Sequence, residues 1–171
     1  MTGTSLFLCI SSISCVGLIF AASLHDVATR TIPNGLVLAL AVAGLAIGVL
    51  DGHFFGALLA CAGMFVVSAL CWRRGWMGGG DVKLLSAAAL GMPPHSVLTF
   101  AVAVAFAGGV LAMLYLAARP LVAAPASLRP AGLLTRAMRV ERWRIKRGGP
   151  LPYACAIAAG AVFVNLSGWT L

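Results

Sequence analysis

The chemistry available to this sequence depends on few carboxylates, because only four of its 171 residues are acidic. Asp26 follows an apolar segment in LHDVATRTIPN, and Asp81 comes directly after three glycines in GWMGGGDVKLL, where another apolar segment begins. Two carboxylates that approach closely in poorly hydrated surroundings can share one proton, since both cannot ionise cheaply. One can then act as a base on water while the other acts as an acid. This is the chemistry of an aspartic protease, and it requires no metal ion and no cofactor.

Each acidic residue also has a purely structural interpretation. Asp81 can cap the start of a helix after the glycine-rich turn, where a carboxylate accepts hydrogen bonds from free backbone amides. Asp26 can be a solvated boundary residue, although a carboxylate at the C-terminal end of a helix opposes the helix dipole. Asp51 lies in a polar turn and Glu141 in a basic segment. For these last two, solvated structural roles are expected.

Composition indicates that the solvent of this chain is largely lipid. Hydrophobic residues make up 61% of the sequence and charged residues only 9%, and the mean hydropathy is +1.03. An ordinary soluble domain carries about 25% charged residues. We therefore exclude a water-soluble domain and expect an all-α membrane protein, with residues 1–171 forming a single membrane-embedded domain.

Six apolar runs predict six transmembrane helices, judged against the need for about 20 residues in each span. The runs cover residues 4–24, 35–50, 54–72, 76–92, 96–118 and 152–170. The fourth run is a short one, about 25 Å of helix at roughly 1.5 Å per residue, and it would place Asp81 just inside the membrane boundary. Pro33 and Asn34 predict the start of the second helix, with Asn34 as its N-cap residue.

The basic residues predict the orientation of these spans. The 12 Lys and Arg residues sort to one side of this layout: Arg30 follows the first run, Arg73, Arg74 and Lys83 lie around the junction of the third and fourth runs, and the other eight lie between Arg119 and Arg147. The turns at 51–53 and 92–95 contain none. Since short basic loops stay in the cytoplasm, both chain termini are expected outside it. The net charge of +8 is then explained by orientation and by anionic lipid headgroups, and nucleic acid is not an expected partner.

The loop of residues 119–149 carries the largest group of basic residues and predicts an amphipathic helix on the membrane surface. One arc of its helical wheel is basic (Arg136, Arg139, Arg142, Lys146 and Arg147) and the other is apolar (Leu133, Leu134, Ala137, Met138 and Ile145). Such a helix either anchors the loop to anionic lipid or offers a docking surface for a partner. The five cysteines contain no CxxC pair, so no metal site is predicted.

Three segments give the sequence a resemblance to the type IV prepilin peptidases, which are membrane aspartic proteases with a GxGD signature. The first is the stretch from Asp26 to Ile32-Pro33-Asn34, and the second is Gly78-Gly79-Gly80-Asp81 continued by Val82-Lys83-Leu84. The third is Leu151-Pro152-Tyr153-Ala154 followed by Ala156-Ile157-Ala158, which resembles the start of the family's last helix. Their order along the chain also resembles that of the family.

The resemblance implies a function and a set of site residues. Asp26 and Asp81 would be the catalytic pair, and prepilins or pseudopilins would be the substrates, cleaved at the inner membrane of a bacterium. Substrate binding or support of the motifs is implied for seven further residues: Gly78, Gly80, Lys83, Pro33, Asn34, Pro152 and Tyr153. Larger members carry an N-terminal domain with paired CxxC motifs, linked to methylation, and this sequence contains no such motif. It resembles the short branch associated with tight-adherence (Flp-type) pili.

A function of another class remains as the alternative. The chain could be a non-enzymatic membrane component, such as a small transporter or a subunit of a pilus or secretion assembly, with its acids forming a proton path. A proton path favours acids near the membrane midplane, whereas Asp26 and Asp81 are both predicted near one boundary. The sequence makes no prediction of the oligomeric state.

Overall fold

The computed structural model describes residues 3–122, 142, 146 and 151–167, and every regular element within these ranges is an α-helix. The six helices are α1 (Gly3–Thr29), α2 (Asn34–Leu50), α3 (Phe54–Arg73), α4 (Gly79–Leu90), α5 (Pro94–Ala118) and α6 (Tyr153–Leu166). Their order is that of the six predicted runs. The predicted surface helix of the loop 119–149 falls almost entirely outside the described residues.

Two of these helices, α3 and α5, are long and apolar enough to cross a membrane. They have 20 and 25 residues, which corresponds to about 30 Å or more of helix at roughly 1.5 Å per residue. Many of their large side chains face outward, among them Phe65 and Phe106, which are 50% and 75% exposed. The helices α1, α2 and α6 each provide a shorter apolar helical segment. The helices and their outward apolar faces are those of a membrane protein.

The shortest helix, α4, corrects the predicted fourth span. It has 12 residues, about 18 Å of helix, which alone is too short for a hydrocarbon core of about 30 Å. The predicted helix is present, but its predicted start at residue 76 was wrong because the chain turns before the helix, with Gly75 at φ +76° and Gly78 extended at ψ 147°. A positive φ such as that of Gly75 favours glycine.

The same helix forms the centre of the bundle. All side chains from Leu84 to Leu90 are buried, and α4 packs against α1, α2, α3 and α6. The helix is therefore apolar on every side along most of its length, as expected for a helix enclosed by others. Its N-terminal turn, with Asp81 and Lys83, is the part that reaches less buried surroundings.

Close backbone contacts hold the surrounding helices against this centre and against each other. A Cβ atom added to Gly44 of α2 would lie 2.7 Å from the backbone nitrogen of Gly91, at the end of α4. One added to Gly160 of α6 would lie 2.5 Å from Val104 Cγ2 of α5. Small residues at such points let helices approach closely, which is typical of helix packing in membranes.

Candidate functional site

A cavity of about 680 Å³ lies where several helix ends meet, and it brings Asp26 and Asp81 into one site. The end of α1, the turn before α4, the second half of α5 and the start of α6 all contribute to its wall. The lining residues are Asp26, Arg30, Gly75, Trp76, Met77, Gly78, Asp81, Gly108, Ala112, Leu151 and Tyr153.

Packing along α1 places Asp26 in the wall of this cavity. Ile19, Ala22, Ser23 and Asp26 are all buried, and their spacing of three and four residues puts them on one face of the helix. The Asp26 side chain is only 7% exposed. The predicted first run ended at residue 24, whereas α1 continues to Thr29. Asp26 is therefore a buried residue within a helix, and its interpretation as a solvated boundary residue was wrong.

Backbone geometry at the start of α4 places Asp81. Gly78 is the N-cap residue, and Asp81 is the third residue of the helix. The backbone N–H of Gly78 donates a hydrogen bond to the Asp81 carboxylate, which is half of the arrangement known as a capping box. The capping interaction considered for Asp81 is thus present, and the same side chain also lines the cavity. Capping and a role in the cavity do not exclude each other here.

A charged guanidinium group and a phenol ring lie near the two carboxylates. The charges of Asp26 and Arg30 both act on the Asp81 carboxylate, and Tyr153 lies close enough to Asp81 to interact with it electrostatically. The Tyr153 ring packs against Gly108, where an added Cβ would lie 3.0 Å from ring atom Cε2. A side chain at Gly108 would therefore displace the Tyr153 ring.

The other predicted site residues divide between the cavity and its outer supports. Gly78 and Tyr153 line the cavity, whereas Gly80 packs against the turn after α1, with an added Cβ 3.3 Å from Ile32 Cβ. Pro152 is buried just before α6. These positions lie around the cavity, but only some of them can touch a molecule bound inside it.

Asn34 and Lys83 form one of the outer supports. Asn34 is the first residue of α2, which follows Pro33, and no side-chain cap hydrogen bond is formed there. The expectation that Asn34 is the N-cap residue was therefore wrong. Its side-chain oxygen accepts a hydrogen bond from Lys83 Nζ at 3.3 Å. The contact joins the first turn of α2 to that of α4 outside the cavity.

Sequence reasoning did not assign several of the lining residues to the site, and Arg30 and Gly108 are two of them. Arg30 was used only as a topology signal and Gly108 was not among the predicted site residues. Neither position has a sequence signal. Arg30 follows the last residue of α1 in a left-handed conformation, and the place of Gly108 depends on how α5 packs beside Tyr153.

The arrangement is suited to acid and base chemistry on a polar bond. Two carboxylates face one partly enclosed volume that is large enough for a peptide segment and a water molecule. Within the part of the chain that the structure describes, no group of three or more His, Cys, Asp or Glu residues is placed to hold a metal ion.

Comparison with known proteins adds a family match. Residues 13–113, more than half of the chain, match the model of the type IV leader peptidase family. The matched segment includes both aspartates of the cavity and the helices from most of α1 to most of α5. No match was found among curated proteins or among solved structures.

Proposed function

This chain belongs to the type IV leader peptidase family, and on that premise we propose that it is an aspartic endopeptidase that removes the leader peptides of type IV prepilins. Family membership supports a peptidase of the membrane. The two-aspartate mechanism, the Flp-type substrate and the place of cleavage at the cytoplasmic boundary of the inner membrane are the further content of the proposal. The resemblance to the short, tight-adherence branch supports the choice of Flp-type prepilins.

One observation carries the proposal: Asp26 and Asp81, which lie on different helices, line the same cavity. A solvated surface pair would not need this arrangement, since each carboxylate would be satisfied by water. Packing around Asp26 and the glycine turn around Asp81 hold both acids against a volume that can accept substrate. Fixed groups of this kind can lower the barrier of a reaction because they need no reorganisation.

In the proposed reaction the ionised aspartate accepts a proton from water, and the water oxygen attacks the carbonyl carbon of the scissile bond. The protonated aspartate donates its proton to the carbonyl oxygen, which gives a neutral tetrahedral intermediate. The C–N bond then breaks as the amine nitrogen receives a proton from the first aspartate. The second aspartate recovers its proton from the intermediate as the new carboxyl group forms. The pair returns to its starting state with one proton between its members.

Cleavage by the purified protein tests this function. Wild-type protein in detergent or lipid vesicles is incubated with Flp-type prepilins, and mass spectrometry identifies the new N-terminus. Asp26→Asn and Asp81→Asn are each expected to lose at least about 100-fold in rate, the scale of a lost acid or base. Asp51→Asn is the matched control, because Asp51 is exposed at the end of α2, and it should cleave normally. Full processing by Asp26→Asn or Asp81→Asn would contradict the mechanism.

We further propose that all six helices cross the membrane, with both termini outside the cytoplasm. The short helix α4 can do so because its neighbours, rather than lipid, surround it, and the Gly91 and Met92 positions that follow it are also buried. Irregular backbone at membrane depth is tolerated where protein encloses it. The basic residues beside α1, α3 and α4 then lie at the cytoplasmic face with the cavity.

Reporter fusions test this orientation. A reporter that is active only outside the cytoplasm should work when fused after Gly52 or at the C-terminus, and it should fail when fused between residues 125 and 145. Protein levels of each fusion provide the control for insertion. Reporter activity from the basic loop would contradict the proposed orientation.

A further inference from the structure

Arg30 has an unusual backbone conformation directly beside the two aspartates. It follows the last residue of α1 and has φ +57°, and among the described residues it is the one non-glycine residue with a positive φ. Left-handed backbone brings Cβ close to the following carbonyl oxygen, so it is disfavoured for residues with a side chain. Helices often end with a residue in this conformation, but that residue is usually glycine. Arginine at this position therefore lowers the stability of the turn relative to glycine.

Hydrogen bonds on both sides fix this turn. The Arg30 backbone N–H donates to the Asp26 carbonyl oxygen at 2.7 Å. The His25 ring donates from Nδ1 to the Thr31 carbonyl oxygen at 2.7 Å, and Thr29 Oγ1 donates to the His25 carbonyl oxygen at 2.8 Å. Unfavourable backbone conformations persist where the surroundings determine them in this way, and they are concentrated at functional sites.

The turn directs the Arg30 side chain into the wall of the cavity that holds both aspartates. Its Nε and Nη1 atoms are buried, and its charge acts on the Asp81 carboxylate. A guanidinium group is planar and always charged, and its N–H groups match the geometry of a carboxylate. Arg30 thus brings to the cavity a fixed cation beside two acids.

We propose that Arg30 is a positioning residue of the catalytic site, whose guanidinium orients the Asp81 carboxylate toward Asp26. The inference rests on the proposed function, because it assigns the role of Arg30 through the aspartate pair. Arg30 acts on an aspartate rather than on the substrate, so its loss should lower kcat and leave KM unchanged.

Arg30→Gly separates this role from a structural one. Glycine is favoured at φ +57°, so the variant should unfold at the same temperature as wild type or at a higher one. Its kcat for prepilin cleavage should fall roughly 10- to 100-fold, as expected when a charged hydrogen-bonding group is removed. Millimolar guanidinium ion, which can occupy the vacated space, should restore part of that activity. Arg30→Lys keeps the charge without the planar group and should retain intermediate activity.

Arg73→Gly is the matched control for loss of one basic residue. Arg73 is exposed at the end of α3 and does not line the cavity, so this variant should cleave at the wild-type rate. Full activity of Arg30→Gly beside an active wild type would overturn the inference alone. Loss of stability together with activity in Arg30→Gly would also overturn it, since that result indicates a structural role. If wild-type protein cleaves no prepilin, the proposed function fails first and the inference with it.

Discussion

The two aspartates of the cavity are held by different means. Asp26 lies in the last turn of α1, 7% exposed, at the end of a buried stripe of side chains. Asp81 lies in the first turn of α4, half-buried, and accepts a hydrogen bond from the backbone N–H of Gly78. Side-chain packing therefore determines the position of Asp26, and backbone geometry determines that of Asp81. We therefore expect changes of side-chain volume to disturb the position of Asp26 most, and changes to the glycine turn to disturb that of Asp81.

Lengthening each acid by one methylene group gives the largest expected difference. Asp26→Glu must place extra volume among buried side chains, so it should lower the free energy of unfolding by about 1 to 3 kcal/mol and abolish cleavage. Asp81→Glu lies at a half-buried helix start, so its stability should stay within about 0.5 kcal/mol of wild type. It should keep a small residual activity. Thermal unfolding in detergent and prepilin cleavage measure the two effects, and an equal loss of stability in both variants would contradict the comparison.

The sequence was sufficient to predict that Asp26 and Asp81 lie at one site, and to predict the order of the helices. An acid beside an apolar run is rare enough to be informative, and the three motifs supplied a family that the match over residues 13–113 confirms. The start of α4 could not be predicted in the same way. The predicted run 76–92 begins at Trp76, whereas the helix begins only at Gly79, after the glycine turn.

Contacts between distant parts of the chain were also beyond sequence reasoning. The Asn34 side chain was assigned to its own helix start because capping is a local interaction, but its partner is Lys83. Arg30 was interpreted through its charge alone, since neither its left-handed backbone nor the cavity beside it has a sequence pattern. Local propensity and composition thus predicted the elements, and packing among α1, α2 and α4 decided which of their ends meet.

Substitutions of the three glycines before Asp81 test whether backbone geometry positions its carboxylate. An added Cβ at Gly78 would lie 3.0 Å from Asp81 Oδ2, and one at Gly80 would lie 3.3 Å from Ile32 Cβ. At Gly79 the nearest atom would be Trp72 Nε1 at 3.5 Å, an ordinary van der Waals distance. We therefore expect cleavage to fall about 10-fold in Gly78→Ala. The loss should be smaller in Gly80→Ala, and Gly79→Ala should be nearly unchanged.

Gly79→Ala is the matched control within this series, because it makes the same substitution one residue along the same turn. All three proteins should insert and unfold much like wild type, since an alanine near a helix start is well tolerated. Equal damage at Gly78 and Gly79 would show that the turn needs glycine for flexibility rather than for the space beside Asp81. That result would contradict the view that backbone geometry positions Asp81 whereas side-chain packing positions Asp26.

The smallest expected effect concerns the contact outside the cavity. Lys83 Nζ donates to Asn34 Oδ1 at 3.3 Å, and both side chains are exposed. A double-mutant cycle with Asn34→Ala and Lys83→Met should give a coupling energy below about 1 kcal/mol in unfolding experiments, as expected for an exposed hydrogen bond. Methionine keeps much of the apolar stem of lysine, so the cycle tests the polar contact itself. Cleavage should fall less than about threefold in either variant, since a coupling this weak shifts the start of α4 little. A loss near 100-fold, like that expected for the aspartates, would mean that the contact determines the position of Asp81 and that the glycine turn alone does not.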